Sequence, residues 1–110
     1  MGQEERIDRE QSELVADKFQ TLTATGTLDV WDLVTNVDSS GAAVTVTLPA
    51  VEKARGKIYT ITAETVGNNI TITDAGDDTI FTDSVLDTAD DYSVLFSNGT
   101  RWFELAAEKA

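Results

Sequence analysis

The sequence predicts an all-β domain, a single small sandwich or barrel of about eight short strands, jelly-roll-like in kind. Three observations carry that expectation. The chain of 110 residues holds 16 Thr, 10 Val and 6 Ile, and β-branched types suit a pleated, half-buried surface. Several segments alternate strictly between apolar and polar residues, the period of a strand. Turn-forming clusters of Asn, Asp and Gly recur at spacings of about eight to twelve residues. A chain of this length is one domain.

The elements follow in order. Residues 1–20 hold six acidic and three basic side chains and show no strand-like alternation. Ile7, Leu14 and Val15 fall near one helical face, with Phe19 beyond them, so this segment is expected to be an N-terminal arm, helical or extended. Residues 21–110 form the expected β domain. Strands are expected over Thr21–Thr25, Leu28–Asn36, Ala43–Leu48, Lys57–Ala63, Asn69–Thr73, Thr79–Thr82, Tyr92–Ser97 and Thr100–Leu105. The breaks between them carry turn chemistry, including Asp38-Ser-Ser-Gly41, Gly67-Asn-Asn69, Asp74-Ala-Gly-Asp-Asp78 and Asn98-Gly99. Pro49 stands directly after a strand, where a missing donor is tolerated.

Two segments alternate cleanly. Val44, Val46 and Leu48 face one way and Thr45 and Thr47 the other, while Ile70 and Ile72 oppose Thr71 and Thr73. One buried face and one wet face is the pattern of a sandwich sheet. Leu28–Val37 differs, because both of its faces read as apolar. The last hairpin differs too. A two-residue turn at Asn98-Gly99 would pair Ser97 with Thr100. Tyr92, Val94 and Phe96 would then join Phe103 and Leu105 in the core. Leu95 and Trp102 would oppose each other on the outside, a large apolar display. Cover by the N-terminal segment or a loop, a subunit interface and a shifted register are the three readings of that display.

Composition narrows the chemistry. There is no His and no Cys, which removes Ser–His and Cys–His pairs, the usual zinc sites and disulfides. The formal charge of −12 disfavours nucleic acid and anionic membranes as partners. No stretch approaches the ~18–20 apolar residues of a membrane span, and the N-terminus is too charged for a signal peptide. The acidic run around Asp74, Asp77, Asp78 and Asp83 does not have EF-hand spacing. No catalytic group, cofactor or metal is therefore expected. Lys53, Arg55 and Lys57 form the basic cluster of the β domain.

The stretches Gly41-Ala-Ala-Val-Thr-Val-Thr-Leu-Pro49, Gly56-Lys-Ile-Tyr-Thr-Ile61 and Asn69-Ile-Thr-Ile72 resemble a β-module recurrent in tailed-bacteriophage virion proteins. Asp77-Asp-Thr-Ile80 and Ser97-Asn-Gly-Thr-Arg-Trp102 look like its later strands and closing hairpin. The resemblance spans about residues 35–105 and leaves the first twenty outside. It implies a structural or adhesive role in a virion, commonly as a homotrimer. The expected function is capsid decoration: a cement protein on the outer capsid surface, bound to the lattice of major capsid protein. Trp31, Leu95 and Trp102 are the expected subunit-packing residues, and Ile7, Leu14, Val15 and Phe19 the arm contacts. A tail-fibre or receptor-binding module that stacks a host glycan on Trp102 or Tyr92 is the alternative.

Overall fold

A computed structural model describes residues 19–108. Among them are nine strands and no helix: β1 (Phe19–Leu22), β2 (Gly26–Thr27), β3 (Val34–Asp38), β4 (Val44–Thr47), β5 (Ile58–Thr65), β6 (Ile70–Thr73), β7 (Ser84–Leu86), β8 (Tyr92–Ser97) and β9 (Trp102–Glu108). They form two sheets, one in the order β1-β3-β5-β8-β9 and one in the order β2-β4-β6-β7. The fold is all-β, as expected, and the helical or extended arm lies outside the described residues apart from its end. Phe19 and Gln20, assigned to the arm, already belong to β1 and pair with Val34 and Thr35 of β3.

The wiring departs from a jelly roll, whose neighbouring strands run antiparallel. From β1 to β6 the chain alternates between the sheets, and each strand lies parallel to the previous one in its own sheet. Parallel neighbours cannot be joined by a hairpin and need a crossover. Here the crossover is a strand of the facing sheet. Val34 pairs with Thr60 and Val44 with Ile70, so the last two turns of the winding keep one offset in both sheets. Only β7, β8 and β9 pair antiparallel. They close the wound stack at one end, as terminal units of a repeat must.

The alternation in β4 and β6 is realised as expected. Val44, Val46, Leu48, Ile70 and Ile72 are buried and meet Val37, Tyr59, Ile61 and Leu95 of the other sheet in one core. Lys57–Ala63 and Tyr92–Ser97 also appear as strands, β5 longer than expected. Leu28–Asn36 is not one strand. Asp29 and Asp32 break it: the Asp29 amide donates to Asp32 Oδ2 at 2.7 Å and the Asp32 amide to the Asp29 carbonyl at 3.0 Å. Side-chain capping of this kind competes with the ladder. Thr79–Thr82 is likewise no strand, because Asp78 Oδ1 accepts from the amides of Ile80 and Phe81, and the strand forms at β7 instead.

The closing hairpin overturns the expected faces. Ser97 pairs with Trp102, not Thr100. Asn98 Oδ1 accepts from the amides of Thr100 and Arg101, and Gly99 takes a φ of 97°, a left-handed conformation that favours glycine. The loop is thereby four residues long. Leu95 and Trp102 do share a face, but it is the inner one, at 0% and 1% exposure. Tyr92, Val94 and Phe96 are half-buried on the outer face, with Phe103 and Leu105 exposed. Ser93, Leu95 and Ser97 line the inner side of β8, and Trp102, paired with Ser97, meets Tyr59 edge-on at 5.5 Å.

Candidate functional site

Trp31 sits on the turn between β2 and β3, and its ring is 56% exposed. The turn beneath it is tightly tied. Besides the two Asp29–Asp32 bonds, the Val30 amide donates to Asp29 Oδ1 at 2.7 Å. The Tyr59 hydroxyl donates to the Val30 carbonyl at 2.6 Å. Burial, and then the charges of Asp29 and Asp32, push the Tyr59 hydroxyl up to about 12, so it remains a donor throughout the neutral range. The Lys57 ammonium lies 4.8 Å from the Trp31 ring centroid, within the reach of a cation–π contact. An exposed tryptophan is thus held on a tied turn.

The outer face of the five-stranded sheet continues from this turn. Ile58 pairs with Phe96 and Phe96 with Phe103, giving one apolar row across β5, β8 and β9. The next row runs from Phe19 through Val34 and Thr60 to Val94. Phe19, Val34, Ile58, Phe103 and Leu105 are all exposed. The Arg101 guanidinium lies 4.7 Å from the Phe103 ring. Farther along the same face the residues turn polar: Asn36 donates to Glu64 at 2.8 Å and Thr62 to Asn36 at 2.9 Å.

The acidic turn is occupied with its own backbone. Asp74 Oδ2 accepts from the amides of Gly76 and Asp78, and Asp77 Oδ2 from the Val51 amide. Asp78 is buried and bridges to β9, accepting the Trp102 amide at 2.6 Å. Burial raises its pKa, but the amides of Trp102, Ile80 and Phe81 and the charge of Arg101 outweigh that and hold it below the usual carboxylate value. Among the described residues, no group of three or more His, Cys, Asp or Glu is placed to hold a metal ion. The described residues contain no helix long and apolar enough to cross a membrane.

A shallow cleft of about 270 Å³ lies between Ile80–Thr82 and Arg101–Glu104. Arg101 Nε and Trp102 Nε1 are buried beside it without a hydrogen-bond partner. Both nitrogens are closed to solvent.

The expected site residues therefore separate. Trp31 is outward and accessible. Leu95 and Trp102 are core residues, and their burial within one chain corrects the expectation that they pack subunits together. It also removes Trp102 as a sugar-stacking ring. Phe19 is exposed on β1 rather than part of a free arm, and Ile7, Leu14 and Val15 lie outside the described residues. Of the basic cluster, Lys57 is laid on Trp31, while the Arg55 side chain packs beside Gly99. Sequence reading passed over Ile58, placed the exposed Phe103 in the core, and took Asp78 as one of an acidic run rather than the buried acceptor of the Trp102 amide. The DxxD pattern at Asp29–Asp32 was the available signal that Trp31 sits on a turn.

Fold and site together define a class: a strand-wound, two-sheet β module with an exposed tryptophan turn and an apolar outer sheet face. Compared with known proteins, the chain matches no family model, no curated protein and no solved structure.

Proposed function

We infer that this chain is a structural virion protein, a capsid decoration protein that binds the assembled bacteriophage head through contacts between subunits. The observation that carries the reading is Trp31, a large aromatic held outward on a rigid turn. Interface energy concentrates in such anchors, and tryptophan is enriched among them. An anchor fixed in advance loses little conformational freedom on binding. The resemblance to phage virion β-modules supplies the context, and the partner it indicates is the lattice of major capsid protein. A protein that binds only the assembled shell stabilises it by mass action. The chain's work in this reading is non-catalytic and needs no cofactor.

The glycan-binding alternative is weaker, because of its two candidate stacking rings Trp102 lies in the core and Tyr92 is half-buried. Co-sedimentation with empty heads tests the proposal. The full chain should pellet with the heads, and Trp31→Ala should lose that association while remaining folded. Light scattering should give three times the 11.9 kDa chain mass if the trimer implied by the resemblance forms. No association with heads, together with a positive glycan screen, would overturn the capsid reading.

A further inference from the structure

β9 ends the order of the five-stranded sheet and, among the described residues, pairs with β8 alone. The direction of its backbone groups follows from the register. The Ser97 amide donates to the Lys57 carbonyl, the Ser97 carbonyl accepts from the Gly56 amide, and the Asp91 carbonyl accepts from the Ala63 amide. Ser93, Leu95 and Ser97 therefore turn their backbone groups toward β5. In an antiparallel ladder, the residue opposite each of these turns its own groups outward. Trp102 and Ala107, opposite Ser97 and Ser93, accordingly direct theirs out of the sheet edge.

The two halves of that edge differ. At its start the Trp102 amide is already taken by Asp78 Oδ2 at 2.6 Å, and Ile80–Thr82 stand across the cleft from Arg101–Glu104. The second half has no counterpart of Asp78 among the described residues. Residues 103–108 are exposed throughout, and past the register shift the ladder is regular from Ala106 to Glu108. An exposed edge with open backbone groups is a template for a further strand. We propose that this edge, centred on Ala107, receives an extended, cationic segment of a partner protein.

Charge selects the occupant. The charged residues of β9 are Glu104 and Glu108, and residues 21–110 hold fourteen acidic against five basic side chains. A second copy paired edge to edge would set acids against acids, and like charges across a ladder oppose pairing. A cationic strand suits both the local and the net charge. The outer face adds a pattern. Ala106 ends the row of Thr60 and Val94, and Glu108 ends the row of Thr62 and Tyr92. The guest strand thus carries an apolar residue opposite Ala106 and a lysine or arginine opposite Glu108. Main-chain bonds supply the affinity of such pairing and alternate side chains its selectivity. The site is separate from Trp31, which lies on the turn before β3, and its test does not use heads.

A peptide of four Val-Lys repeats, titrated into the full chain to millimolar concentration, is the probe. The amides of Ala106, Ala107 and Glu108 should shift, and a Val-Glu counterpart should leave them in place. Ala107→Pro removes the outward donor and keeps the β8 ladder, because proline is tolerated where an edge N–H faces solvent. It should abolish the shifts at Ala106 and Glu108. Glu108→Lys should weaken binding by about fivefold, the scale of a cross-strand charge pair. A fully N-methylated Val-Lys peptide keeps the charge without the donors and tests the native chain directly; it should not bind. Equal binding of the methylated peptide would reduce the contact to general charge attraction and overturn the proposal. Shifts confined to other residues, or none at all, would overturn it as well.

Discussion

The two tryptophans of this chain are held in opposite ways. Trp102 is fixed by packing: 1% exposed, edge-on to Tyr59, its amide given to Asp78. Trp31 is fixed by the turn that carries it, with a lysine on its ring and more than half of its surface in water. The difference separates rings that hold the molecule together from a ring that is free to hold something else. Tyr59 links the two environments, since its ring packs on Trp102 while its hydroxyl anchors the Trp31 turn.

The largest effect is expected at Trp102. Trp102→Ala empties the space between Tyr59 and the core, and substitutions of this kind cost about 3–5 kcal/mol. Urea unfolding should show that loss, or a chain that no longer folds. A change below about 1 kcal/mol, the scale of ordinary surface substitutions, would break the comparison at its buried end.

Asp78 comes next. Asp78→Ala leaves the amides of Ile80, Phe81 and Trp102 without their acceptor, at a cost of about 2–3 kcal/mol. Its folded pKa is lowered, so the charged carboxylate's contribution is fully present above the unfolded value near 3.9 and lost as pH falls through the lower folded value. Comparing urea midpoints at neutral and strongly acidic pH, the native chain should lose more stability than Asp78→Asn. Equal losses would show that the acid sensitivity arises elsewhere.

How much of this was legible follows from which forces act locally. Val44, Val46, Ile70 and Ile72 declared their face because threonines alternate with them along both strands, and a period-two pattern against polar residues has one solution. The hairpin of β8 and β9 did not, because Leu95 and Phe96, like Trp102 and Phe103, offer apolar groups to both sides. Its outcome depended on Asn98 capping a four-residue loop, which sets Trp102 rather than Thr100 opposite Ser97. The parallel winding was invisible for a different reason: alternation states which side of a strand is buried but not which sheet the strand joins. For the candidate site, Trp31 could be named from its type alone. Its exposure required the Asp29–Asp32 turn, and the apolar outer face required the register of five strands.

Tyr59→Phe should have a smaller effect. It keeps the ring against Trp102 and removes the hydroxyl that donates to Val30, at a cost of about 1 kcal/mol. Because the folded pKa is raised to about 12, the native contribution is intact below the unfolded value near 10 and lost as pH rises through about 12. The variant should lack that alkaline step. It should also loosen the Trp31 turn, read as a fall in fluorescence anisotropy. An unchanged anisotropy would show that the aspartate caps suffice.

The smallest effect on stability is expected at Trp31 itself. Its ring is mostly solvated, and the Lys57 contact at an exposed site is worth about 0.5–1 kcal/mol. Trp31→Ala should therefore move the unfolding midpoint little, while the remaining emission, from Trp102 alone, shifts to the blue as befits a dry ring. The same variant carries the largest expected loss of binding to heads. That inversion is the sharpest form of the comparison: the ring that matters least to folding should matter most to association. If Trp31→Ala unfolded the domain as Trp102→Ala does, its exposed ring would be a structural element after all, and the interface reading would lose its anchor.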